Sequence, residues 1–280
     1  SMRGGYRSRD MESIVEEAKW LAENGAKEII LVAQDTSRNG QDLYGEYSLS
    51  RLLKRLCGIE KLRWIRVLYC YPEAITDELL ETMAAEEKIV KYMDIPLQHI
   101  SDQVLKRMNR RGNREYITAL FEKIRKTVPG IILRTTFITG FPGETEEDFT
   151  ELAEFVKKMR FDRMGCFAYS QEEGTPAAAF DDQIDEDVKT RRAEILTDQQ
   201  MSIMMEKAEE YIGKEFTVLV EGCDRYAECY FGRSYMDAPE IDGKIFFAKP
   251  EKRPALGSMV QVEITECYET DLFGEMAEES

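Results

Sequence analysis

The sequence predicts an α/β protein in two parts: a sheet or partial barrel of parallel strands over residues 1–212, then a small antiparallel β barrel over 213–280. Three observations predict it. Short β-branched runs alternate with helical stretches of about 10–15 residues through the first part, the signature of right-handed βαβ units. The pattern then changes to short alternating strands punctuated by glycine. Polar segments bearing Gly or Pro follow one β-branched run after another, where parallel α/β folds place their chemistry.

The expected strands are Glu28–Val32, Ile65–Cys70, Tyr92–Leu97, Ile131–Ile138 and Met164–Tyr169. The expected helices are Asp10–Asn24, Leu49–Cys57, Thr76–Glu86, Arg114–Thr127 and Glu146–Arg160, the last opened by a capping-box-like Thr145-x-x-Asp148. The chain opens on a helix, so a further strand of the sheet is expected upstream of Ser1. A long charged helix, Glu186–Tyr211, ends at Gly213 and leads into the second part. There the expected strands are Phe216–Glu221, Tyr226–Phe231, Lys244–Phe247 and Met259–Thr265, an OB-like barrel of about 65 residues.

Composition bounds the function. Apolar residues make up 43% of 280, enough for a sizeable core and against global disorder. With 38 basic and 54 acidic side chains the net charge is −16, against DNA, RNA or an anionic membrane as main partner, because phosphate binding needs a basic footprint. A basic protein or a small molecule fits better. No apolar run approaches the ~18 residues of a membrane span. The N-terminus lacks a signal-peptide core. Six scattered cysteines are too sparse for a disulfide scaffold, and Cys223 and Cys229 match no standard zinc spacing. The expected location is the cytoplasm, and a monomer is expected.

The strand ends carry Gln34-Asp35-Thr36-Ser37, Asp94 to His99, Thr139 to Glu144 and Ser170 to Pro176. One such segment is an ordinary turn; four on one rim favour a binding site. No nucleophilic triad can be assembled: His99 is the sole histidine, more often a hydrogen-bonded structural group than a base, and there is no Gly-x-Ser-x-Gly elbow. Walker and Gly-x-Gly-x-x-Gly loops are also lacking. Without acid–base machinery, cofactor chemistry is the natural reading.

The run Arg134-Thr-Thr-Phe-Ile-Thr-Gly-Phe-Pro-Gly-Glu-Thr-Glu-Glu-Asp-Phe149 resembles a signature of the radical SAM methylthiotransferases. Asp94-Ile-Pro-Leu-Gln-His-Ile-Ser-Asp102 with Val104–Met108, and Phe167–Ala177, resemble neighbouring strand segments of that family, while Gly213–Tyr268, closing on Asp271–Glu275, resembles a TRAM domain. The resemblance covers nearly the whole chain, with the motifs in the family's order. It implies a radical SAM partial (βα) barrel followed by a TRAM barrel. One departure is large. The family's Cys-x-x-x-Cys-x-x-Cys loop, whose thiolates hold three irons while S-adenosyl-L-methionine (SAM) takes the fourth, is not in this sequence. The chain is expected to begin just after it, with the ligands of both [4Fe-4S] clusters outside the chain and the chain inactive alone.

Glu28–Thr36 with Gly40–Tyr44, Asp35 where tRNA-modifying members usually carry Asn, and His99 where they carry a small residue resemble the branch that modifies a ribosomal protein. The resemblance implies methylthio transfer to the β-carbon of an aspartate in small-subunit ribosomal protein twelve. SAM would be cleaved reductively, its 5′-deoxyadenosyl radical would take the hydrogen, and an auxiliary cluster would supply the methylthio group. It also suggests roles at the rim: Gln34 and Asp35 toward the methionyl amine; Asp94 and Gln98 toward the ribose hydroxyls; Arg134 toward the methionyl carboxylate or a neighbouring acid; Thr136, Gly140 and Phe141 around adenine; Ser170 and Tyr169 as weaker candidates. Glu144 is expected to cap the next helix. Residues 213–280 hold 7 basic and 15 acidic side chains, a net −8. Such a barrel suits a basic ribosomal protein better than tRNA, with Glu221, Asp224, Glu228 and Glu263 as candidate partner-binding residues; a purely solvated surface is the plainer alternative. A tRNA methylthiotransferase, or a binding module without catalysis, are the competing functions.

Overall fold

Five strands, β1 (Glu28–Leu31), β2 (Trp64–Val67), β3 (Ile89–Asp94), β4 (Ile132–Thr139) and β5 (Arg163–Ala168), lie side by side in that order. Every neighbouring pair is parallel. The computed structural model describes residues 4–224, 226, 228–248 and 253–277. Residues 1–3 of the opening segment, Ala227 within the expected strand 226–231, and 278–280 lie outside the described residues.

Because the order never reverses, each right-handed crossover steps the same way and puts its helices on the same side. The sheet curls as part of a barrel with a concave inner face. The helices are α1 (Met11–Glu23), α2 (Gln41–Tyr44), α3 (Leu49–Cys57), α4 (Asp77–Ala85), α5 (Asp102–Arg107), α6 (Arg114–Thr127), α7 (Glu146–Met159) and α8 (Glu186–Glu209). Short polar side chains start them: Asp10, Thr76 and Asn113 accept backbone N–H groups, and Thr145 with Asp148 forms the expected capping box. One apolar cluster fills the space between helices and sheet, with Leu53, Leu56, Ile65, Phe121, Leu133, Phe137, Phe155 and Phe161 at its centre.

Some bounds differ from expectation for identifiable reasons. The third strand ends at Asp94 rather than Leu97, because Pro96 has no N–H to give the ladder. The second ends at Val67; Tyr69 follows with φ +59°, a conformation no strand continues through. The short helix α5 was not expected.

The second part is a closed barrel of β6 (Glu215–Asp224), β7 (Cys229–Arg233), β8 (Ile245–Ala248), β9 (Met259–Tyr268) and β10 (Asp271–Met276), in the order β10-β8-β7-β6-β9. It is not antiparallel throughout: β8 and β10 pair in parallel. With an odd number of strands around a closed ring, at least one neighbouring pair must be parallel. The final strand, read from the sequence only as a closing segment, supplies that seam. The barrel interior (Val218, Tyr230, Ile245, Phe247, Val262, Ile264) belongs to a cluster that continues into Trp64, Val90, Tyr92 and Ile132 of the sheet's inner face. The barrel therefore packs on the lower, N-terminal half of that concave face.

Candidate functional site

Each strand of the sheet sends one polar side chain to the barrel. Glu28 of β1 accepts from Arg233 Nη2 at 2.7 Å and from Arg66 Nε at 2.7 Å. Arg66 of β2 donates to the Tyr235 carbonyl at 2.9 Å. Tyr92 of β3 donates to Asp242 Oδ2 at 2.6 Å, and Arg134 of β4 reaches Asp242 Oδ1 at 3.1 Å. Arg163 of β5 donates to Asp237 Oδ1 at 2.8 Å. Burial, then the Asp242 carboxylate, push the Tyr92 phenol far up, so it stays a donor. This belt closes the lower end of the partial barrel, opposite the C-terminal ends of the strands.

Above the belt, the register sets Asp94 beside Arg134, Thr136 beside Gly165 and Ile138 beside Phe167. Asp94 is buried, yet its Oδ1 has no hydrogen-bond partner; Arg134 Nε stands 3.7 Å away, beyond hydrogen-bond reach. Burial pushes the Asp94 carboxyl up to about 6, against the opposing pull of Arg134 and the Tyr69 backbone N–H. Gln98 has φ +71°, in the left-handed region. Two backbone bonds clamp it, its N–H to the Thr136 carbonyl and its carbonyl from the Ile138 N–H, both at 2.8 Å. Gln98 Oε1 is a second buried acceptor without a donor. Two buried, donor-starved oxygens four residues apart on one segment are what a ligand bearing hydroxyl groups would satisfy, and a ribose diol is such a ligand.

The other sequence candidates are distributed differently. Gln34 is exposed and Asp35 buried; both line a cavity of about 750 Å³ beside β1, with Tyr6, Arg9, Val32 and Tyr71. Asp35 Oδ1 accepts from Ser37 Oγ at 2.5 Å while Oδ2 has no hydrogen bond, and burial raises its pKa. Arg134 is hydrogen-bonded to Asp242 and only loosely ion-paired with Asp94, at 3.7 Å, rather than free for a ligand carboxylate. Gly140 turns with φ +70° against α8, where an added Cβ would meet Lys189 Cγ at 2.0 Å; its freedom serves helix packing. Phe141 packs edge-on against Tyr169 and Phe180, and Ser170 bonds Glu172 on an exposed loop. Glu144 does not cap α7: it is buried, accepting from Gly140 N (2.9 Å) and Arg192 Nη1 (2.7 Å) and facing His99 Nε2 at 3.2 Å. The His99 Nδ1 accepts from Ser101 N, so its Nε2 carries the proton given to Glu144, a structural role.

Sequence reasoning missed Phe167, on β5, and Val32, directly after β1, 61% and 60% exposed where the preceding strand residues are half-buried or buried. Alternation held the signal: with Met164 and Cys166 packed toward the helices, Arg163, Gly165 and Phe167 must face inward. On the barrel, the four acidic candidates do not form one patch. Glu221 is paired with Arg233 at 2.6 Å, Asp224 and Glu228 flank the β6–β7 turn, and Glu263 lies near the opposite end of β6. Glu263 is in register with Glu215 on one side and Glu275 on the other, three exposed acids abreast.

A one-directional partial parallel barrel, sealed below and lined above by buried acceptors without hydrogen bonds, is a cofactor-binding scaffold. Residues 1–156 match the Radical SAM superfamily and residues 212–277 the TRAM domain; the chain belongs to the radical SAM superfamily. It is 51% identical over 273 residues, 98% of this chain and 62% of the relative, to the ribosomal protein uS12 methylthiotransferase RimO of Lachnoclostridium phytofermentans. It is 50% identical over 279 residues, 100% of this chain and again 62% of the relative, to that of Clostridium tetani. The chain thus spans less than two thirds of the length of these curated relatives. Among solved structures, coproporphyrinogen III oxidase (HemN) of Escherichia coli, a radical SAM enzyme, matches the fold with a TM-score of 0.50 at 15% identity, over 91% of this chain and 60% of that one.

Proposed function

We propose that this chain holds SAM on the inner face of its partial barrel and belongs to an enzyme that transfers a methylthio group to ribosomal protein uS12. The supporting observation is the pair of buried acceptors, Asp94 Oδ1 and Gln98 Oε1, left without donors beside the open mouth. Asp94 and Gln98 would accept from the ribose hydroxyls, and Phe167 and Val32 would offer apolar cover. When bound, SAM supplies the radical chemistry that an unactivated C–H demands. An iron–sulfur cluster does not fit the residues present. Among the described residues no group of three or more His, Cys, Asp or Glu side chains is arranged to hold a metal, and the six cysteines are scattered and unpaired.

The partner reading rests on charge. The barrel carries a net −8 and the acidic row Glu215, Glu263, Glu275 on its surface, which favours a basic protein over tRNA. No helix is long and apolar enough to cross a membrane among the described residues. We place the enzyme in the cytoplasm, where uS12 is made. The test is calorimetry of SAM with the cluster-loaded full-length protein, alone and as Asp94→Ala and Gln98→Ala, with mass spectrometry of uS12 after turnover. Each substitution should weaken SAM binding about ten-fold, from roughly 1–1.5 kcal/mol per lost hydrogen bond. Unchanged affinity in both variants would remove these residues from the site, and modified tRNA with unmodified uS12 would overturn the substrate.

A further inference from the structure

Asp242 belongs to the second barrel, yet it decides where the guanidinium beside Asp94 goes. It lies in the loop between β7 and β8, buried, with Oδ2 accepting from Tyr92 OH (2.6 Å) and Ala238 N (2.9 Å). Oδ1 then faces two cations, Arg134 Nη1 at 3.1 Å and Arg163 Nε at 3.8 Å. Arg134 sits on the strand directly beside Asp94, where a closed ion pair would be the default for neighbouring opposite charges. It instead holds Asp242 and stops at 3.7 Å from Asp94 Oδ1, leaving that oxygen buried and without a hydrogen bond.

We infer that Asp242 is a positioning residue for the cofactor site: by holding Arg134, the second barrel keeps the Asp94 carboxylate vacant as an acceptor for ligand hydroxyls. Docking of the barrel and readiness of the site become one event, because the same loop, Ser234 to Asp242, carries the contacts of Arg66, Tyr92, Arg134 and Arg163. Without the Asp242 charge, Arg134 closes on Asp94 and occupies the oxygen that the ligand needs.

The ligand half of this inference rests on the proposed SAM placement; the electrostatic half does not. The groups that face Asp94 are Arg134 from β4 and the Tyr69 N–H and Cys70 from the segment after β2; behind Arg134 stand Tyr92, Arg163 and Asp242. The test follows the Asp94 carboxyl by NMR, with ¹³C-labelled aspartate, in the ligand-free chain. Asp242→Asn keeps an acceptor for Tyr92 and Ala238 but loses the charge. The Asp94 midpoint should fall from about 6 by about one pH unit or more, as for a carboxylate gaining a close arginine. In an Arg134→Gln background most of that fall should vanish, which separates repositioning of Arg134 from simple loss of a nearby charge and from loosened packing. If Asp242→Asn does not fold, Arg163→Gln carries the test with opposite sign, since Asp242 then grips Arg134 alone and the midpoint rises. An unmoved midpoint, or an equal fall with and without Arg134, overturns the inference. In the cluster-loaded full-length protein, Asp242→Asn should weaken SAM binding about ten-fold. Unchanged SAM affinity in Asp94→Ala overturns the SAM placement instead, whatever the NMR shows.

Discussion

Asp94→Asn should stabilise this protein, and by an amount that depends on pH. The carboxyl is buried with one oxygen unpartnered, and burial raises it from an ordinary 3.8 to about 6. A carboxyl raised by folding contributes its full stability when protonated, below pH 3.8, and loses it as pH rises through 6. The interval from 3.8 to about 6 corresponds to ~3 kcal/mol of cost for holding the charged form at pH 8. Asparagine is isosteric and neutral, so it escapes the cost, though its amide must sit beside Arg134 and returns part of the gain. The expected gain is therefore about 1–3 kcal/mol at pH 8, shrinking to a few tenths near pH 4, where the folded carboxyl is protonated and the unfolded one only partly ionised. At roughly 2–4 °C per kcal/mol, this is a rise of several degrees in the midpoint of thermal unfolding at pH 8. Urea titrations of both proteins at pH 4, 6 and 8 would measure it. A variant equal to or less stable than wild type at pH 8, or a gain that does not shrink toward pH 4, would refute the account of a charge kept buried at the expense of stability.

Two further outcomes follow from the same geometry. Gln98 holds a left-handed backbone at φ +71°, a conformation costing a non-glycine residue about 1 kcal/mol. Gln98→Gly should match or exceed wild-type stability in urea while weakening SAM binding, whereas Gln98→Ala should weaken binding with no gain; a glycine variant clearly less stable than the alanine one would show that the backbone is not strained there. Glu263 stands between Glu215 and Glu275, so Glu263→Lys should convert two like-charge cross-strand pairs into opposite ones, at roughly 0.2–1 kcal/mol each. The same change should slow association with uS12, most strongly at low salt; a variant more stable and equally fast in stopped-flow binding would leave the row as a solubilising surface.

The fold was legible because hydrophobic period and turn chemistry are local. The β-branched runs around Ile65, Leu133 and Cys166 found their strands, and Thr145 announced its helix by a box of four residues. What was not legible depended on contacts distant in sequence. Arg134 reads equally as a ligand for a carboxylate or as an ion-pair partner, and its fate is set by Asp242, 108 residues away. Gly140 reads as room for a ligand, and only the path of α8 shows that Lys189 takes that room. Glu221 reads as one more surface acid until Arg233 and Glu28 join it in a chain running into the sheet. A net charge of −8 on the barrel does not say which acids are spent on contacts within the molecule. Asp237 and Asp242 neutralise arginines of the first domain, so part of the excess that suggested a basic partner serves to hold the two domains together. Among the described residues, exposed acids at the two ends of β6 include the row Glu215, Glu263, Glu275 at one and Glu228, in the β6–β7 turn, at the other. They lie toward opposite ends of a ten-residue strand, about 30 Å long. A single short basic segment cannot engage both at once, so a basic partner that uses the whole barrel must span it as a folded surface, or else use one end and leave the other indifferent to charge reversal.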